Sequence, residues 1–531
     1  MSGAGQYQSA LQAFRAKDLS AAESLARDLL RDAPALVNGW RLLADIQIAA
    51  GRSRDAIESL ETAWSSAQGT PKSWVSTGLH LARTLVTLGR EGRAKLILEE
   101  LQPTELTHPE PLAQAAYLYS LCEEHAKSLQ LYERALGLRP DNVELLFNCA
   151  AANRSMGDIS RSELLYDRLI SLNPLDAEAF KNRSDLRRQT AEDNHVDELQ
   201  RALQAVGDQA ASGSQLNFAL AKELEDLERY EESFAALEEA CRLRRSMIRY
   251  SPQKDLARID EISSVFSSEV FSALRSEYVN EDRGREVIFV LGMPRTGTTL
   301  VDRVLCSSGS VVSAGEPGIF SRLVAELSQA VASPEAGQGS MITAASMIDF
   351  EALGARYLQE LHQRVPDDQS GFILDKNPMN FLYVGLIRLA LPGARIVHLC
   401  RNPIDTCYAV YKTQFRNAYP FSYDQAEMAN YYVKYRELMN FWRTLEDVDF
   451  LDLNYEELVD QFDEQTKQLY SFCGLDWSAD VQRFYLNERQ GTATASASQV
   501  RQPVYKSSVG KWKRYEKQLQ PMRDRLAKAG L

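Results

Sequence analysis

Val287-Ile288-Phe289-Val290-Leu291-Gly292-Met293-Pro294-Arg295-Thr296-Gly297-Thr298-Thr299-Leu300 decides how the second half of this 531-residue chain folds. The stretch reads as a short apolar, β-rich run that enters a glycine-bounded loop and opens a helix. Gly292 and Gly297 have the spacing of the phosphate-binding pattern G-x-x-x-x-G-K-[ST], but Thr298 fills the Lys slot. A nucleoside triphosphatase needs that Lys on the β/γ-phosphates. The loop therefore suits a nucleotide with a different phosphate tail.

Elementary chemistry supports anion binding here. Glycines allow close backbone approach and positive φ. The N–H groups of Thr298, Thr299 and Leu300 are expected at a helix N-terminus, where unpaired donors and the helix dipole favour negative charge. Arg295 adds a planar donor fork that matches phosphate or sulfate oxygens. A second apolar run, Arg395-Ile396-Val397-His398-Leu399-Cys400, ends in Arg401-Asn402-Pro403. Buried parallel strands read as such runs, and ligands sit beyond their carboxyl ends, so Arg401 is placed to hold a second phosphate. His398, alone among apolar neighbours, is read as a structural strand residue.

On the run Pro294-Arg295-Thr296-Gly297-Thr298-Thr299-Leu300 the chain resembles the sulfotransferases, in particular the tyrosylprotein sulfotransferase branch. The resemblance implies an α/β P-loop-like sulfotransferase domain with a central parallel sheet. It also implies the donor 3′-phosphoadenosine 5′-phosphosulfate (PAPS), its 5′-phosphosulfate held by the loop from Arg295 to Thr299 (Thr296, Gly297 and Thr298 included). Arg401 would bind the 3′-phosphate, which the family assists with a Ser eight residues later. Ala409 stands there instead, and Thr406, Tyr411 and Lys412 are the candidates to replace it.

Further segments fit the same family. Ala314-Gly315-Glu316-Pro317 is similar to the Gly-Glu that carries the catalytic base, and Leu374-Asp375-Lys376-Asn377-Pro378 to the strand end whose Lys contacts the transferring group. Attack by a hydroxyl needs a carboxylate to take its proton and cations to stabilise developing charge, roles implied for Glu316, Lys376 and Arg295. Asn454-Tyr455-Glu456-Glu457-Leu458 resembles the family's Tyr-Glu-x-Leu segment, which implies Tyr455 against the adenine. The late run from Gln499 to Trp512 resembles a nucleotide-binding loop in which Lys511, directly before Trp512, contacts the donor, with Ser496 or Ser498 near the family's donor-contacting Ser. With Arg501, Lys506, Lys513 and Arg514 it makes a basic cluster suited to a lid over an anion. Lys513 and Arg514 also fit a solvated tail. No metal is implied.

The first half repeats every 34 residues: Tyr132 and Tyr166, Ala135 and Leu169, Pro140 and Pro174, Ser128 and Ser162. Small residues where two helices meet, and Pro after the second, fit the tetratricopeptide (TPR) pattern. Trp40, Leu43, Ala56, Leu60 and Ala63 carry an earlier copy, and Leu220, Ala221, Tyr230, Ser233, Leu237 and Ala240 a later one. Roughly seven helix pairs are expected, irregular near 65–105 and 180–212. Such an α-solenoid offers a concave surface for a peptide or protein, or serves only as a scaffold or dimerisation arm.

Composition bounds the rest. A formal charge of −13 argues against nucleic acid as main partner. No apolar run approaches the roughly 20 residues of a membrane span, and no signal peptide is visible at Met1-Ser2-Gly3. Seven Cys without metal-like spacing suggest reduced thiols, no metal site and a cytoplasmic location, unlike the membrane-anchored lumenal tyrosylprotein enzymes. The expected organisation is a TPR superhelix over 5–245, a linker helix over 246–284 and a sulfotransferase domain over 285–531. The expected activity is PAPS-dependent transfer to an acceptor hydroxyl, with a protein tyrosine among the acceptors and a homodimer left open. A non-catalytic TPR adaptor whose C-terminal domain binds nucleotide, and a P-loop kinase or NTPase, are the alternatives.

Overall fold

The computed structural model describes residues 3–101, 106–276, 280–332, 340–365, 371–415, 418–486 and 502–531. Two compact units result, Met1–Ala152 and Asn153–Leu531.

In the first unit the helices run Gly3–Arg15, Leu19–Asp32, Val37–Ala49, Ser53–Ser66, Pro71–Thr87, Glu91–Glu100, Pro109–Leu121 and His125–Leu138, with Val143–Met156 crossing the boundary. Each pair turns through one left-handed residue: Lys17 (φ 63°), Gly51 (76°), Gly89 (69°) and Glu123 (62°). Ala10, Ala22 and Ala26 are fully buried against Leu30, Leu42, Leu43 and Ile46, small side chains where helix axes approach. The Asp18 carboxylate accepts from the Ala21 N–H at 3.0 Å and caps the second helix.

The second unit continues with Ile159–Leu172, Ala177–Ser184, Val196–Val206, Ala210–Asp226 and Tyr230–Ser246. Tyr166 and Leu169 are buried at the positions equivalent to Tyr132 and Ala135. The irregularity expected near 180–212 is a helix cut to 8 residues. Buried Glu223 fills the gap: its carboxylate accepts from the Ser184 hydroxyl at 2.5 Å and from the His195 N–H at 2.7 Å. Helices Pro252–Val265 and Ser268–Arg275 lead to the sheet. The last helices of the expected repeat region, Ala210–Asp226 and Tyr230–Ser246, share a compact unit with the sheet domain. Arg245 is bidentate to Glu427 (2.8 and 2.9 Å), and the ring of Phe234 lies 5.5 Å from that of Tyr515.

That sheet is parallel throughout, in the order β2-β3-β1-β4-β5. The strands are β1 (Val287–Gly292), β2 (Val311–Ser313), β3 (Phe372–Asp375), β4 (Arg395–Cys400) and β5 (Leu451–Asn454). β1 is buried along its whole length because both faces are covered. Ile288 and Val290 pack on Val301, Val304 and Leu305 of helix Thr298–Cys306 and on Leu469 and Cys473 of Phe462–Cys473. Phe289 points the other way, its ring 5.6 Å from Tyr357 and 6.3 Å from Phe320. Each such side chain contributes about 1.5–3 kcal/mol. The chain leaves β1 towards β2 and leaves β4 towards β5, so strand order reverses between β1 and β4, where α/β sheets open a ligand crevice.

Candidate functional site

The crevice between β1 and β4 is built by two loops that lock each other. After β1 the backbone turns through Gly292 (φ 142°), Arg295 (φ 67°) and Gly297 (φ 108°) before helix Thr298–Cys306 begins. Thr296 donates its hydroxyl to the Met293 carbonyl at 2.7 Å and closes the loop on itself. Of the three N–H groups expected to face an anion, that of Leu300 instead donates to the Gly297 carbonyl at 3.0 Å. Those of Thr298 and Thr299 head the helix. Gly297 is required by contact as well as by φ, since a Cβ there would lie 2.7 Å from Cδ2 of Tyr455.

Arg401, at the end of β4, crosses to this loop. Its Nη1 donates to the Arg295 carbonyl at 2.9 Å and its Nη2 to the Ser508 carbonyl at 2.7 Å. Its guanidinium stands 4.8 Å over the Tyr455 ring, and the Tyr455 hydroxyl is 2.7 Å from Ser508 Oγ. The Nε of Arg401 is buried without a hydrogen-bond partner among the described residues. Burial, then repulsion from Arg401, holds the Arg295 guanidinium below its ordinary pKa. Two like charges, Arg401 buried and Arg295 half-buried, thus adjoin a cleft of about 810 Å³, its open mouth included, lined also by Gly297, Thr299, Tyr455, Tyr505 and Lys511.

The late loop is latched over the cleft by Asp405, whose carboxylate accepts from the N–H groups of Gly510 (2.6 Å) and Trp512 (3.3 Å). Lys511 therefore faces inward. Burial, then the neighbouring Lys412, pushes its amine down to about 8. Lys513 and Arg514 are exposed, as a solvated tail would be, and Lys506 pairs with Asp460. Ala409 lines the cleft with a methyl group. Of the three residues considered as its substitute, Lys412 reaches the cleft, while Thr406 donates to the Asn402 carbonyl at 2.9 Å and Tyr411 is buried. Ser496, Ser498 and Arg501 lie outside the described residues.

Glu316 and Lys376 meet at the carboxyl ends of β2 and β3 and do not line this cleft. They form an ion pair in which Lys376 is 3% exposed and Glu316 is 43% exposed. The Lys376 N–H donates to the Gly315 carbonyl at 3.0 Å and the Asn377 amide to the Pro317 carbonyl at 3.3 Å, which fixes the two strand ends together. Behind them, burial raises the Asp375 carboxyl to about 7, with Tyr357 (2.7 Å) and Asn380 (3.0 Å) donating to it.

Among the described residues, His398, Cys400 and Asp452 form a group able to hold a metal ion. Hydrogen bonds already satisfy it. His398 Nδ1 is 2.6 Å from Asp452, its Nε2 meets the Tyr435 hydroxyl, and Arg443 pairs with Asp452. His398 is fully buried, as read from its apolar neighbours.

Three participants were not legible as such. Asp405 looks like an ordinary first-turn acid after Asn402-Pro403, and Ser508 is one hydroxyl in a polar run. Glu225, on the repeat helix Ala210–Asp226, carries no sequence signal: its carboxylate takes Lys412 at 2.7 and 3.1 Å and the Tyr408 hydroxyl at 3.2 Å.

Residues 287–479 match the model of the sulfotransferase family, and residues 109–142 and 214–247 match that of the tetratricopeptide repeat. The chain thus carries a sulfotransferase-family domain and TPR repeats. An uncharacterized protein of Aquifex aeolicus (strain VF5) is 30% identical over 389 residues, which cover 72% of this chain and 50% of that protein. The chain spans about half the length of that relative. Among solved structures, the sulfotransferase domain of the Synechococcus PCC 7002 olefin synthase is 19% identical, covering 43% of this chain and 86% of that one, at a TM-score of 0.30. The sulfotransferase domain of the curacin biosynthetic pathway is 17% identical (46% and 96% covered, TM-score 0.32), and a tetratricopeptide repeat protein of Parabacteroides merdae 18% (47% and 94%, TM-score 0.34).

Proposed function

We propose that this protein transfers a sulfuryl group from PAPS to an acceptor hydroxyl. One observation carries the reading: two guanidiniums, half-buried Arg295 and buried Arg401, adjoin an open cleft at the strand-order reversal, and Arg401 spends its hydrogen bonds on backbone carbonyls. Like charges so placed and partly desolvated favour a polyanion. Thr298 in the Lys slot disfavours a triphosphate.

In this reading Arg295, with Gly297, Thr298 and Thr299, holds the 5′-phosphosulfate end. Arg401 and Lys511 hold phosphate, and Tyr455 lies by the adenine. Thr296 shapes the loop through its bond to Met293. Glu316 takes the acceptor's proton as its oxygen bonds to sulfur and the bond from sulfur to the phosphate oxygen breaks. Lys376 neutralises charge at the transferring group and, by pairing with Glu316, keeps the carboxylate oriented. Most of the acceleration then comes from positioning and fixed charge, with no metal. The acceptors include a protein tyrosine, since the repeats suit a peptide or protein partner. Seven free cysteines fit a reducing, cytoplasmic setting.

The test is transfer of labelled sulfate from PAPS to peptides, phenols and a cell extract. Label appearing on a hydroxyl supports the reading. Its absence from every acceptor, together with cleavage of ATP, would establish the nucleotidase alternative.

A further inference from the structure

One of the cleft's lysines, Lys412, is held by a residue from the other half of the sequence. Lys412 ends the helix Pro403–Tyr411, three residues after Ala409, and both line the cleft. Ala409 offers no donor, so Lys412 supplies the cation on that face. Its amine is clamped by both oxygens of Glu225, at 2.7 and 3.1 Å, and Tyr408 donates to the same carboxylate. Glu225 sits on Ala210–Asp226, the first helix of the last TPR pair. Burial is the largest single influence and raises its carboxyl, but the charge and hydrogen bond of Lys412, the charge of Lys511 and the Tyr408 hydrogen bond together hold it below its ordinary value.

We propose that Glu225 is a positioning residue through which the repeat helices complete the phosphate-binding end of the cleft. The ligand class is the phosphomonoester of a bisphosphorylated nucleoside, and the proposal rests on the donor reading above. Lys412 carries a long, rotamer-rich stem, and fixing it before the anion arrives removes most of the ordering cost from binding. Glu225 also acts on Lys511. Four groups set that amine's charge besides burial: Lys412 and Arg514 oppose it, Glu225 and Asp226 support it. A lysine is charged below its pKa, so affinity for the anion should fall as pH rises through about 8. Removing the Glu225 charge moves that fall to lower pH.

The experiment compares adenosine 3′,5′-bisphosphate with adenosine 5′-phosphate, by calorimetry across pH 6–9.5, for wild type and Glu225→Gln. The variant should lose about tenfold in bisphosphate affinity at neutral pH. Its 5′-phosphate affinity should change less than about twofold, and its pH midpoint should drop. Unchanged or tighter bisphosphate binding would overturn the assignment. So would an equal loss for both ligands with the midpoint unmoved, which reports a merely structural role. If Glu225→Gln does not fold, Lys412→Met decides: the same selective loss supports the clamp, and its absence overturns it. Wild type that shows no preference for the bisphosphate refutes the donor reading itself. Preference undiminished in Glu225→Gln refutes only the part given to Glu225.

Discussion

The repeat helices and the sheet edge organise their residues in opposite ways. In the repeats, what matters is close in sequence: Asp18 caps its own helix, and Lys17 and Glu123 take left-handed turns inside single helix pairs. At the sheet edge, residues near 225, 297, 316, 376, 401, 455 and 508 are gathered from across the chain. Substitutions in the repeats should therefore change stability and leave chemistry alone, while those at the edge should do the reverse. The two regimes meet at the cleft in the Glu225 clamp, beside the structural contacts of Arg245 with Glu427 and Phe234 with Tyr515.

Glu316→Gln sharpens the comparison most. Its side chain is largely exposed, so the fold should stand, while transfer drops by roughly 10²–10⁴-fold as proton removal is lost. Donor-product affinity should stay within about twofold. Steady-state turnover beside calorimetric binding checks this, and full turnover would remove Glu316 from the role. Arg401→Ala comes next. It removes a charge-assisted contact together with the brace between Arg295, Ser508 and Tyr455, so bisphosphate affinity should fall by about 10–100-fold. The ratio to 5′-phosphate affinity should fall with it.

Gly297→Ala breaks the comparison on purpose, since it should cost both properties. A Cβ 2.7 Å from the Tyr455 ring at φ 108° should cost about 1–3 kcal/mol in denaturant melts and displace Tyr455 from the cleft. The smallest effect is expected in the repeats. Lys17→Gly relieves a left-handed Lys at φ 63° and should raise stability by at most about 1 kcal/mol, with transfer unchanged.

Legibility followed the same division. The 34-residue period places helix starts at 3 and 37, 19 and 53, 109 and 143, and 125 and 159. Local patterning suffices there because each pair buries its own small residues. The apolar runs ending in Gly292 and Cys400 announced β1 and β4, both covered on two faces. The short helix before Glu223 could only be read as an irregularity, because a carboxylate from residue 223 replaces the missing turns. Arg295 and Arg401 carried motif signals, whereas Asp405, Ser508 and Glu225 act through partners more than 50 residues away, a distance that periodicity does not reach.

The most direct test is a crystal of this protein soaked with adenosine 3′,5′-bisphosphate. The account predicts the nucleotide in the cleft between β1 and β4, its phosphates on the Arg295 loop and on Arg401, its base beside Tyr455. Electron density for the bisphosphate at any other place, with this cleft empty, would contradict it.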